Sequence, residues 1–187
     1  VTNNQDNNNE ASVVETHTHT HNHAAPSPRG GCFPLGTMVM TAGSSLPIQD
    51  ATIGMHLMTS QGLSPFFLQG HADPDAQTSM MEIDTTSNHS VKASPDHYFP
   101  LVSGTHMAAQ RLSVGDELWI YHEGTLVPSA IAGIRVVAAK GLFNPYTVTG
   151  DIIVNGILAS SHSSWFLEGT GMSDAAIVAS YKALFSP

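Results

Sequence analysis

The sequence predicts an all-β domain built from a duplicated unit, on three observations. Short apolar runs recur from Cys32 to about Trp165, broken by Gly, Pro, Asn, Asp and Ser at intervals of roughly 8 to 12 residues. No long helical period occurs before residue 170. Residues 49–58 (QDATIGMHLM) overlie residues 110–119 (QRLSVGDELW) without a gap, matching glutamine, glycine and leucine and setting Ile53 against Val114. Each copy is followed by a glycine (Gly62, Gly124), a proline (Pro65, Pro128) and another apolar run, so a unit of some 60 residues occurs twice. A pseudo-twofold domain is the expected result.

Taken in order, residues 1–31 form an arm made of an Asn-rich start, the alternation THTHTHNH over 16–23, and AAPSPRGG. Such a segment has too little apolar surface to offset its ordering entropy and is expected to be flexible. His17, His19, His21 and His23 share one face when extended and can bind zinc, nickel or copper loosely; a solvated linker is the preferred reading, and no metal is assigned. Strands are expected over 37–41, 56–59, 64–69, 79–84, 90–93, 117–121, 130–138 and 152–154, with Phe66, Phe67 and Leu68 as a buried run. Asn155-Gly156 marks a strand-end turn. Residues 173–185 carry apolar positions at helical spacing behind a Ser173 or Asp174 cap and predict a short amphipathic helix. The domain is thus placed at 32–167, with an extension over 168–187. Trp119, Phe143, Tyr146 and Trp165 are read as packing residues.

Of 187 residues 41% are hydrophobic and 11% charged, with 6 Lys+Arg against 15 Asp+Glu and a formal charge of −9. That excess argues against nucleic acid and anionic membranes as partners. There is no apolar run of about 20 residues, so a soluble piece of a processed protein is expected, and a monomer. One cysteine cannot form an internal disulfide.

That cysteine carries the chemistry. Cys32 follows Gly30-Gly31, and a thiol whose own nitrogen bears a glycyl group can attack the preceding carbonyl through a five-membered ring, converting the amide to a thioester. The other reading is a small buried hydrophobe. Amide cleavage needs a proton for the departing nitrogen, and histidine suits that task. His97 is the candidate, in Ser94-Pro95-Asp96-His97 after an apolar run, a turn that aims the Ser94 hydroxyl and the imidazole at one peptide bond.

With these pieces the chain resembles a Hint domain, the autoprocessing module of Hedgehog proteins and inteins, most nearly of the Hedgehog C-terminal (Hog) type. The resemblance rests on Gly31-Cys32-Phe33, Ser94-Pro95-Asp96-His97, the LSVGD of 112–116 and the GDIIVNGILASS of 150–161, in family order over about residues 30–167. It implies a disc-like all-β fold in which Cys32 forms an internal thioester, His97 protonates the departing amine, and Ser94, where the family usually has Thr, helps hold the peptide. A second nucleophile, water or a sterol-like alcohol, then releases the upstream segment, which makes the chain's own N-terminal segment the substrate. The family's acid for activating that nucleophile aligns with His71, with Asp73 two residues on, so one of these is expected to be the second-step base. Ser161 stands where Hedgehogs often carry a second Cys. No intein-like Asn-plus-nucleophile ending follows Asn155, so cleavage is expected and splicing is not. The resemblance also implies entry to the secretory pathway. The alternative function is a catalytically silent Hint-fold binding module of a secreted or surface protein.

Overall fold

The computed structural model describes Val1, residues 31–161 and the single positions 176, 179, 180 and 183. The arm expected over 1–31 and the helix expected over 173–185 lie almost wholly outside the described residues. Of the latter, Ala176, Ala179, Ser180 and Ala183 are helical, and the Ser180 hydroxyl donates to the Ala176 carbonyl at 2.9 Å.

The element order displays the duplication. A first set runs β1 (Met38–Met40), β2 (Ser45–Pro47), a 3-10 turn (Ile48–Asp50), β3 (His56–Thr59), β4 (Gly62–Thr85) and β5 (Ser90–Ala93). The second repeats it as β6 (Tyr98–Pro100), β7 (His106–Ala108), a 3-10 turn (Ala109–Arg111), β8 (Glu117–His122), β9 (Thr125–Thr147) and β10 (Asp151–Val154), with β11 (Ile157–Ser160) added. The repeated sequences form the same turn: Gly54 and Gly115 sit at φ 96° and 97°, a region open to glycine at little steric cost. Their amides donate to the carbonyls of Phe66 and Ile131, at 2.8 and 3.0 Å.

One sheet follows the order β2-β1-β10-β11-β8-β9-β4-β3, with β5 on β4, while β6 and β7 pair separately. Alternation sets the faces. In β8, Leu118 and Ile120 are buried between exposed Glu117 and His122, and in β3, Leu57 and Thr59 are buried. Phe33, Val39, Leu57, Phe66, Ile83, Phe99, Leu118, Ile131 and Ile152 meet in one core. Asn155 and Gly156 both take positive φ, 48° and 81°, in the two-residue turn between β10 and β11, as an Asn-Gly hairpin requires.

Three expectations need correction. The strands expected at 64–69 and 79–84 are one, β4, and the strand expected at 130–138 extends over all of β9. The intervening HADPDAQ segment stays extended because β9 pairs along it, Ala72 with Phe143, Asp73 with Leu142 and Gln77 with Lys140. Pro74, which cannot donate to a ladder, falls in a register shift between Asp73 and Gln77. β2, β6, β7 and β11 were not expected: three have only three residues, and β11 lacks a polar alternation because all four of its residues are buried. Finally, Phe66 alone of the run 66–68 is buried; a register shift between Phe66 and Leu68 leaves Leu68 36% exposed.

Candidate active site

Cys32 is fully buried at the entrance of β1, and its backbone is fixed on both edges. On one edge, Phe33 forms a reciprocal bridge with Phe143 of β9, N–H to carbonyl at 2.8 and 2.9 Å. On the other, the turn after β5 grips residue 32 twice: Cys32 N–H donates to Ser94 Oγ at 2.9 Å, and Ser94 N–H donates to the Cys32 carbonyl at 2.9 Å. Pro95 presets the turn, which closes with His97 N–H donating to the Ser94 carbonyl at 3.0 Å. The same loop thereby places Ser94 and His97 on the Gly31-Cys32 peptide.

His97 is also fully buried, its ring 4.2 Å from that of Phe33 and 5.6 Å from that of Phe99. Nε2 lies 2.7 Å from the Ser160 carbonyl, an acceptor only, so Nε2 carries the proton and Nδ1 the lone pair. Nδ1 makes no hydrogen bond of normal geometry, and the Gly31 carbonyl lies close enough to the ring to favour a proton there. Burial pushes the imidazole down to about 4, against a smaller upward pull from the Ser160 and Gly31 carbonyls, so the resting ring is neutral.

The Cys32 thiol is pushed up to about 12 by burial and is therefore protonated. Its Sγ lies 2.9 Å from Nδ1 of His71, which the chain brings in from β4. His71 reaches it through a bulge: between Gln69, paired with Pro145, and Ala72, paired with Phe143, β4 carries one residue more than β9. Gly70 makes the bulge fit, since a Cβ there would stand 2.6 Å from Tyr146 Cε2. The Gln69 side-chain amide donates to the His71 carbonyl. His71 is itself exposed, so it links a sealed thiol to solvent.

Asp73 is not brought to the thiol. Its Oδ1 accepts from the N–H groups of Asp75 and Ala76, at 3.0 and 3.1 Å, within the register shift of β4 between Asp73 and Gln77. Ser161 is fully buried, its Oγ accepting the Thr147 N–H at 3.5 Å. Among the described residues no group of three or more His, Cys, Asp or Glu is arranged to hold a metal ion; His17, His19, His21 and His23 lie outside them. A cavity of about 220 Å³ opens along Pro34, Gly36, Glu82, Ser90, Lys92 and Asn155, away from Cys32 and His71.

Two groups beside the site escaped sequence reading. The Ser160 carbonyl is backbone and leaves no side-chain signal. Asn144 is 3% exposed and its Oδ1 has no hydrogen-bond partner. Its signal was legible: a lone amide in the apolar run Leu142-Phe143-Asn144-Pro145-Tyr146.

The family model for the Hint module matches residues 19–177. Two curated relatives from Caenorhabditis elegans are similar. Warthog protein 1 is 23% identical over 141 residues, 71% of this chain and 29% of that protein. Warthog protein 6 is 28% identical over 149 residues, 73% of this chain and 25% of that protein. The chain therefore spans less than a third of either relative. Among solved structures, the gp41-1 intein is 19% identical with a TM-score of 0.62, covering 70% of this chain and 98% of its own. The DnaB intein from Synechocystis sp. PCC 6803 is 13% identical with a TM-score of 0.62, covering 72% and 99%. The bacterial intein-like domain from Clostridium thermocellum is 16% identical with a TM-score of 0.58, covering 69% and 97%. At these identities the structures establish the fold.

Proposed function

Since the chain belongs to the Hint module family, we propose that it cleaves itself once, at Gly31-Cys32, through a Cys32 thioester that water or a sterol-like alcohol resolves. The observation that carries this reading is the 2.9 Å contact of Cys32 Sγ with His71 Nδ1, beside a scissile peptide held by Ser94 and faced by His97.

A thiol at about 12 supplies almost no thiolate near neutral pH, so proton removal must accompany attack. His71 takes that proton at Nδ1 as sulfur bonds to the Gly31 carbonyl carbon. The carbon–nitrogen bond then breaks, and the Cys32 nitrogen takes a proton from Nδ1 of His97. In the resting tautomer that atom is bare, so the proton it donates is first drawn from water, while exposed His71 releases the Cys32 proton to solvent, and the two exchanges balance; a ring held near 4 gives its proton up readily. Ser94 Oγ keeps the nitrogen in place as it becomes an amine. In the second step His71, neutral again after releasing the Cys32 proton to solvent, accepts the proton of the incoming water or alcohol as its oxygen bonds to the thioester carbon, and passes that proton to sulfur, which leaves as the thiol. His71 thereby acts in both steps, where the sequence had assigned it, or Asp73, to the second alone.

Intact mass of wild type and Cys32→Ala, incubated with and without dithiothreitol at neutral pH, tests the reading. Wild type alone should yield a product beginning at Cys32, faster with thiol, and the mass added to the released segment tells water from alcohol. The complete burial of Cys32 favours one rival, a silent module whose thiol is a core residue. That rival stands if wild type stays whole under thiol and hydroxylamine.

A further inference from the structure

We propose that Asn144 is a positioning residue of this site, its carboxamide oxygen accepting a hydrogen bond from the His71 ring once that ring holds the Cys32 proton. The inference rests on the reading of His71 as proton acceptor for the thiol.

The sheet register places Asn144 between the two reacting groups. Phe143 of β9 is bridged to Phe33 on one side and paired with Ala72 of β4 on the other. One step along β9, Asn144 therefore stands opposite Cys32 on the first side and the Gly70-His71 bulge on the second. The Asn144 carbonyl lies 3.4 Å from where a Gly70 Cβ would be, which confirms that alignment. Residues directly opposite in antiparallel strands share a face, with Cβ atoms about 5 Å apart. Cys32, Asn144 and His71 thus form one row of side chains across three strands. The backbone groups of Cys32 point the other way, to Ser94, so the Asn144 amide meets side chains and not the scissile nitrogen.

Within that row the Asn144 oxygen lacks a donor. A buried carboxamide oxygen without a hydrogen bond is costly and calls for an explanation, and a donor that arises in a later state of the site is one. In the resting site the His71 Nδ1 lone pair receives the thiol proton and has nothing to donate. After transfer, Nδ1–H is a cationic donor, and acylation of sulfur removes the thiolate it would otherwise face. The Asn144 oxygen is then the acceptor next in the row, and hydrogen bonds from charged donors are the stronger kind. Of the ionisable groups around His71, Tyr146 packs its ring against Gly70 and the others are engaged elsewhere. Asp73 holds the amides of Asp75 and Ala76, Lys140 of β9 lies 3.0 Å from Asp75, and His97 behind Cys32 stays neutral to about pH 4.

The test is the pH profile of thiol-induced cleavage in the full chain, for wild type, Asn144→Asp, Asn144→Leu and His71→Gln. The rate should rise with pH as His71 becomes free to take a proton. The near-isosteric Asn144→Asp adds a negative charge beside the cation and should move the midpoint of that rise up by about one pH unit. Asn144→Leu should move it down and lower the plateau about tenfold. A purely structural amide would slow cleavage without moving the midpoint, and unmoved midpoints in both variants overturn the proposal. If His71→Gln keeps the rise in place, the reading of His71 has failed, and the role of Asn144 with it. Ring proton NMR of His71 in a Cys32→Ala background gives a readout that needs no cleavage: its titration midpoint should move up with Asn144→Asp and down with Asn144→Leu, and an unmoved midpoint again counts against Asn144.

Discussion

At the scale of the residue, the site is governed by two groups whose burial moves them in opposite directions. His97 falls from 6.5 to about 4. Between those values the unfolded chain binds a proton that the folded chain refuses, so stability contributed by the neutral ring is complete above pH 6.5 and lost as pH falls toward 4, on the order of 3 kcal/mol. Cys32 rises from 9.0 to about 12, so the folded chain keeps a proton that the unfolded chain releases, and stability is lost as pH climbs through that window. Urea midpoints measured against pH should therefore show a plateau between about pH 6.5 and 9, and Cys32→Ala should flatten only the alkaline side. His97→Ala should slow thiol-induced cleavage about 100- to 10,000-fold while the domain stays folded by tryptophan fluorescence. Ser94→Ala strands the buried Cys32 N–H and should cost about 1–3 kcal/mol in thermal unfolding, besides slowing cleavage.

At the scale of the element, β9 is the part that brings Cys32 and His71 into register, since its residues 140–145 hold the approach to β1 on one side and the bulge of β4 on the other. Gly141 is where that arrangement is most easily broken. It sits at φ 89°, and a Cβ there would meet Leu35 Cγ at 2.7 Å and the Leu35 nitrogen at 3.0 Å. Gly141→Ala should push away the segment carrying Cys32, lowering stability by about 1–3 kcal/mol and slowing cleavage, although residue 141 touches neither sulfur nor imidazole. The sequence reading singled out Cys32, Ser94 and His97, which the structure brings together, because each sits in a short motif with a local chemical rationale. It placed His71 only by alignment and left Asp73 beside it as an equal, because the choice depends on a bulge. Whether one residue more lies on β4 than on β9 is a property of pairing between strands some 70 positions apart, and no local pattern records it. For the same reason HADPDAQ reads as a loop, its Pro and Asp being turn formers, and becomes strand when a partner lies along it.

At the scale of the whole molecule, the duplication was legible because the glycine of the repeated turn needs positive φ in both copies, a demand that a sequence shows directly. What the repeat did not reveal is that the site belongs to neither copy. Cys32 precedes the first, His71 lies within it, Ser94 and His97 sit on the joint between the two, and Phe143, Asn144 and Ser160 come from the second. Cleavage within one chain should be strictly first order, so its rate constant should hold across a dilution series over about a hundredfold in concentration; a rate that falls with dilution would show cleavage between molecules. The hydrogen bond from His97 to the Ser160 carbonyl carries this dependence nearly to the end of the domain, 63 residues beyond the imidazole. On the proposed mechanism, a chain still emerging from the ribosome would present its nucleophile early and complete its acid only when β11 has been made and laid beside β10, so synthesis itself would delay the cut until the domain behind the bond is whole.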